Sequence, residues 1–216
     1  KSGDPESYLG ALKLSMLNFD QNLFEQTYNR LIAETSFRNI FLEVFIPFLH
    51  NIGIDWQSKN IIPAHEHFIT SIIMQKLQIN IERIQQIPPK HTDQVFVLYL
   101  PEKEIHEFGL LYLHYELSLN GYRSIFLGPS VPMNDLKTLQ KIYKNITFVS
   151  YFTVQPVKDQ VINYLYKFYA EILLDNDNKL WILGRNTEGL EIPSKVKNVT
   201  AFDNIQGLIK KFSPNT

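Results

Sequence analysis

The 216-residue chain contains no cysteine. That absence excludes disulfide frameworks, zinc knuckles, iron–sulfur clusters and thiol catalysis together, and it fits a reducing cytoplasm. No apolar run approaches the roughly 18 residues that a membrane span needs, and no signal-peptide pattern opens the chain. An excess of charge of one sign is missing too: 21 Lys plus Arg stand against 22 Asp plus Glu, a net charge of −1. A free-standing nucleic-acid binder normally carries a basic excess, so the balance argues against that class for this chain. Several motifs are absent. No GxGxxG or GxxxxGK[ST] follows the first strand-like run, His65-Glu66-His67 lacks HExxH spacing, and no Gly-x-Ser-x-Gly elbow occurs. Nucleotide-phosphate binding, zincin chemistry and serine hydrolysis therefore have little support, and the chain reads as a binding module rather than an enzyme. What is present is ordinary globular composition, 44% hydrophobic and 20% charged, with material for a real core.

The pattern changes at Pro88-Pro89. Before it, apolar residues recur at helical spacing: Tyr8, Leu9, Leu12, Met16 and Leu17, then Leu23, Phe24, Tyr28, Leu31 and Ile32 behind a capping Asp20. Ser36 caps a third helix through Phe48 and Leu49, with a kink expected at Pro47. A fourth runs from about Ile62 to Ile84, so residues 1–88 read as a small four-helix bundle. After Pro89, strand-like runs at Val95–Leu100, Ser124–Leu127, Thr147–Tyr151, Leu180–Leu183 and Asn198–Ala201 alternate with helical ones. Continuous apolar strands separated by helices imply a doubly wound, flavodoxin-like parallel sheet of five strands over residues 92–216, an α/β domain. Ligands of such sheets bind at the carboxyl ends of the strands.

The loop after the first of these strands carries Glu104, His106 and Gly109. A neutral imidazole is a good ligand for a transition metal, and a carboxylate on its other nitrogen fixes the tautomer and raises its basicity. Glycine at the start of the next helix lets a bulky planar group approach the backbone. A solvated His in an acidic loop is the competing reading of the same three residues. Later loops carry Gly128-Pro129-Ser130-Val131-Pro132, Ser150-Tyr151-Phe152 and Gly184-Arg185. The remaining histidines read as structural or solvated: His50 at a helix end, His91 in the linker, His114 on the first helix of the sheet domain.

Together these loops resemble the cobalamin-binding domain family, whose pattern is Asp-x-His-x-x-Gly, then Ser-x-Leu about forty residues on, then Gly-Gly. The resemblance implies that His106 is the lower axial ligand of cobalt, with Glu104 as its partner. It implies that Ser150 faces the nucleotide tail in a groove between strands, and that Gly109, Gly128, Val131, Phe152, Gly184 and Arg185 line the cofactor site. Three positions depart from the pattern: Glu104 stands for Asp, Phe152 for Leu, and Arg185 for the second Gly. In the helical half, Trp56 is followed ten residues later by Glu66-His67. That spacing is similar to the cap of CarH-type cobalamin photoreceptors, which are MerR-family transcription regulators. By that resemblance Trp56 packs against the adenosyl group and Glu66 and His67 contact it. Gln57 stands where those photoreceptors have a His that captures cobalt after light breaks the carbon–cobalt bond; His65 is a nearby imidazole.

The function implied is an adenosylcobalamin-binding sensory and oligomerisation region of a MerR-type, light-responsive regulator. The partners expected are further copies of the chain, and DNA through an N-terminal head upstream of Lys1. The start at Lys1-Ser2-Gly3, without Met, reads as a fragment. The alternatives are a corrinoid carrier of a methyltransferase system and a regulator of the same fold that has lost the cofactor.

Overall fold

The computed structural model describes residues 5–55 and 61–213, so Trp56 and Gln57 lie outside the described residues. The chain divides into two compact units, Lys1–Asn80 and Ile81–Thr216.

The first unit is helical. Helices α1 (Pro5–Asn18) and α2 (Gln21–Glu34) are joined by a tight turn in which the Asp20 carboxylate accepts from the Leu23 N–H at 2.9 Å. Ser36 caps α3 (Phe37–Ile40) in the same way, accepting from Asn39 N–H. The disturbance expected at Pro47 takes the form of a widened π-helical turn, Phe41–Phe45, that leads into α4 (Ile46–Asp55). Proline cannot donate to the carbonyl four residues back and its ring needs room there; the extra residue in the turn supplies it, with the Ile46 N–H reaching Phe41. Phe41 and Phe45 are both fully buried, and Phe45 stacks on Phe24 and Tyr28 of α2. His50 lies inside α4 and not at a helix end. Helix α5 (Pro63–Gln85) completes the unit, burying Ile69, Ile73 and Leu77, and the division between units falls within it.

The second unit is the α/β fold anticipated. Strands β1 (His91–Pro101), β2 (Tyr122–Val131), β3 (Ile146–Tyr151), β4 (Lys179–Leu183) and β5 (Val199–Ala201) form one sheet in the order β2-β1-β3-β4-β5. Every pairing is parallel. Between them run α6 (Phe108–Leu119), α7 (Met133–Ile142) and α8 (Val161–Phe168), with α9 (Ile205–Phe212) last. The sheet is covered on both faces, which is why β1 reads as an unbroken apolar run. Val95, Val97 and Tyr99 join the core shared with α7 and α8, while Phe96, between them in sequence, meets Phe212 of α9.

Two local expectations change. Gly128 and Val131 are not in a turn after β2, because β2 continues to Val131 alongside β1, pairing Gly128 with Tyr99 and Val131 with Pro101. Positive φ at Gly128 (77°) and Ser130 (54°) absorbs the register shifts of this irregular stretch. His91 opens β1 and stacks on Tyr122 of β2, so it belongs to the sheet and not to a linker. His114 on α6 is buried against Phe126, and burial pushes its pKa down to about 4, as suits a structural imidazole.

Losing the Asp20 cap leaves the α2 N-terminal donor unpaired, so Asp20→Ala is expected to lower stability by about 1 kcal/mol, read from urea unfolding followed by helical circular dichroism.

Candidate functional site

The carboxyl ends of β1 and β3 flank the point where the strand order reverses, and the loops there meet around one side chain. Glu104 is fully buried. Its Oε1 accepts from the backbone N–H groups of Ile105 (2.9 Å) and His106 (3.0 Å), and lies 2.5 Å from His106 Nδ1. Its Oε2 accepts from the N–H groups of Val154 and Gln155, in the loop after β3, both at 2.6 Å. Burial alone would push this carboxyl up. The backbone donors of Gln155, His106 and Val154, with the His106 ring, outweigh burial and hold the pKa at about 2. The carboxylate is therefore ionised throughout the neutral range.

That arrangement decides what His106 can do. The short contact to an ionised carboxylate assigns the ring proton to Nδ1, which leaves Nε2 as the basic nitrogen. The side chain is 51% exposed, so the ring stands at the surface while its anchor does not. Orientation is fixed twice, since the backbone N–H and the ring nitrogen of the same residue bind the same oxygen. An imidazole held this way has the chemistry of a transition-metal ligand through Nε2. Among the described residues there is no group of three or more His, Asp or Glu that would hold a bare ion.

Two neighbours that the motif reading passed over keep the loops in place. Ser130 binds the β1 loop twice, its Oγ accepting from Lys103 N–H at 3.1 Å and its N–H donating to the Glu104 carbonyl at 3.1 Å. Asn186, just past β4, donates through its amide to the carbonyls of Val154 (3.1 Å) and Pro156 (3.0 Å). Its own N–H donates to Phe152, so it stays the loop that supplies the Glu104 donors. A Ser or Asn in a loop carries no sequence signal for such a role, because the partners are distant in the chain.

The remaining candidates are placed as follows. Ser150 is fully buried, and its hydroxyl donates to the Tyr99 carbonyl at 2.9 Å. Phe152 is fully buried in the core with α8. Gly184 adopts φ 115° against it, and a Cβ there would lie 2.6 Å from the Phe152 carbonyl oxygen. Gly109 faces Tyr151: a Cβ would lie 2.7 Å from the ring's Cε2. Val131 lines a depression of about 320 Å³ with Pro101, Lys103, Gln155, Tyr164 and Lys167. Arg185 is exposed and lines another, of about 560 Å³, with Thr153, Val154, Lys158 and Glu188. In the helical unit, Glu66 and His67 lie in the first turn of α5, with His67 Nδ1 3.9 Å from Glu66 and its side chain 78% exposed. His65 is engaged locally, accepting from Ile62 N–H and packing on Phe19.

Residues 8–79 match the family model described as B12 binding domain. The matched stretch lies within the first unit. Over 119 residues the chain is 29% identical to the HTH-type transcriptional repressor CarH of Myxococcus xanthus, a stretch covering 55% of this chain and 38% of that protein. The chain thus spans well under half the length of this curated relative. The corrinoid protein for monomethylamine of Methanosarcina barkeri superposes with a TM-score of 0.72 at 14% identity, covering 97% of this chain and 98% of that one. At that identity the likeness is one of fold. No described helix is long and apolar enough to cross a membrane.

The ionised Glu104 generates a signed prediction. Its folded pKa of about 2 lies below the ordinary glutamate value of 4.5, so its contribution is complete above pH 4.5 and is lost as pH falls towards 2. A shift of that size corresponds to about 3 kcal/mol. Glu104→Gln also turns an amide NH₂ towards N–H donors, and is expected to destabilise by about 3 kcal/mol at pH 7. The gap between variant and wild type should narrow between pH 5 and pH 3 in urea unfolding curves. A gap independent of pH would mean that the carboxylate is not held ionised.

Proposed function

We propose that this chain is a corrinoid-binding sensory and oligomerisation region of a transcription regulator of the CarH type. The observation that carries the reading is the Glu104–His106 pair: a buried, ionised carboxylate that holds a half-exposed imidazole by its Nδ1. His106 would serve as the lower axial ligand, Glu104 as the group that fixes its tautomer, and Ser130 and Asn186 as the groups that hold the loops. The B12 binding domain match over residues 8–79 supports it from the helical half, and the 29% identity to the M. xanthus repressor over 119 residues supports the regulator role. There Glu66 and His67, with Trp56, would contact the upper ligand, for which adenosylcobalamin is the candidate. Bound, the corrinoid supplies cobalt with a replaceable upper ligand and a rigid macrocycle large enough to bury much protein surface.

The chain's own residues need perform no reaction in this role. A ligand that binds one arrangement of the protein better than others shifts the population towards it, and with it the surface offered to further copies. Joining copies raises the effective concentration of their DNA-binding heads, so operator affinity would follow assembly. A cytoplasmic setting goes with this reading.

Titration with adenosylcobalamin in the dark, followed by absorption spectroscopy, tests the proposal. The expected spectrum is that of a corrinoid whose own base is displaced by imidazole, and His106→Ala should abolish it. An unchanged spectrum in that variant sinks the proposed site. Light scattering coupled to size exclusion then separates sensor from carrier: ligand should raise the mass and illumination should reverse it. A mass indifferent to both ligand and light would remove the sensory role while leaving corrinoid binding in place.

A further inference from the structure

Three positions that the resemblance assigns to the cofactor site, Ser150 among them for the nucleotide tail, are small residues whose free space the protein has already filled. At Gly109 the occupant is the Tyr151 ring, with Cε2 2.7 Å and both Cδ2 and Cζ 3.2 Å from where a Cβ would stand. At Gly184 it is the backbone of Phe152, whose N, C and O all lie within 2.9 Å of such a Cβ. At Ser150 the buried hydroxyl is already donated to Tyr99 inside the sheet. A glycine opening a helix lets a flat group reach the backbone, and here that flat group is a side chain of the same unit. The space on the other face of β3 is also taken: Tyr99, Phe148, Phe152, Tyr164 and Phe168 pack ring against ring, with a hydrogen bond of 2.7 Å between the Tyr99 and Tyr164 hydroxyls. The two depressions at this end of the sheet are lined by neither Gly109 nor Ser150. The imidazole side of the site is prepared for a corrinoid, whereas the tail side is closed.

Resting on the corrinoid reading above, we infer that Tyr151 is a specificity-determining side chain that excludes the nucleotide tail, so that the α/β unit takes corrinoids with or without one. Of the three occupants, only Tyr151 is a side chain that substitution can remove without touching the backbone. It is also the residue of the Ser-x-Leu-like triplet on the α6 face of β3, opposite to Ser150, so its ring faces Gly109 and not the α8 core.

The test compares hydroxocobalamin with aquacobinamide, which lacks the tail, each titrated into the full chain and followed by its absorption spectrum. Wild type is expected to hold aquacobinamide at least as tightly as hydroxocobalamin, whose own base must first leave the cobalt, and Tyr151→Phe, which keeps the ring, to behave alike. Tyr151→Ala is expected to gain about tenfold or more for hydroxocobalamin while leaving aquacobinamide nearly unchanged. Wild type holding hydroxocobalamin at least about tenfold tighter than aquacobinamide would overturn the inference without touching the corrinoid reading, and this arm needs no variant to fold. An unaltered ratio in a folded Tyr151→Ala protein would overturn it likewise. Failure of both corrinoids to bind any form would overturn the inference and the reading beneath it together.

Discussion

A carboxylate taken out of water must have its charge met by donors, and the upper edge of the sheet is organised around meeting that demand at Glu104. Its two oxygens are served by the loop that carries it, by the loop after β3 and by the ring of His106. Those loops are tied in turn by Ser130 from the irregular end of β2 and by Asn186 from beyond β4. Four of the five strands thus contribute to holding one charged group. Removing a partner from such a buried cluster leaves an uncompensated charge, which costs far more than a surface pair could contribute. This is why an exposed histidine can be held in one tautomer and one orientation at the surface of a loop.

The replacement of aspartate by glutamate at position 104 acquires a physical meaning in this setting. The longer side chain bends back far enough to accept from its own loop through one oxygen, and still meets the Val154 and Gln155 amides through the other. Phe152 fills the α8-facing core and leaves its backbone against Gly184, while Arg185 turns outward to an open depression. The site consequently combines a well-oriented imidazole with a filled interior.

In the helical unit the same logic of satisfied backbone groups operates without charge. Asp20 and Ser36 close helix N-termini with side-chain oxygens, and the π turn before Pro47 accommodates a residue with no N–H to give. Capping residues act over three positions of sequence, so both caps were legible in advance. The π turn was not, because Pro47 announces a disturbance without saying whether the helix bends or widens.

Short-range and periodic physics determined what the sequence by itself could show. Apolar repeats at helical spacing, unbroken apolar strands and their alternation with helices led to a bundle followed by a parallel five-stranded sheet. The Glu104-x-His106 spacing led to an imidazole with a carboxylate partner, since residues two apart on one loop can meet without help from the fold. What lay beyond reach involves partners distant in the chain. The amides of Val154 and Gln155, the support from Ser130 and Asn186, the placing of Gly128 and Val131 within β2, and the Tyr151 ring over Gly109 all depend on which strands become neighbours. A glycine in a motif records only that something comes close. Whether that something is a ligand or a tyrosine of the same sheet is settled by packing, because only the tertiary structure brings both faces of the contact together.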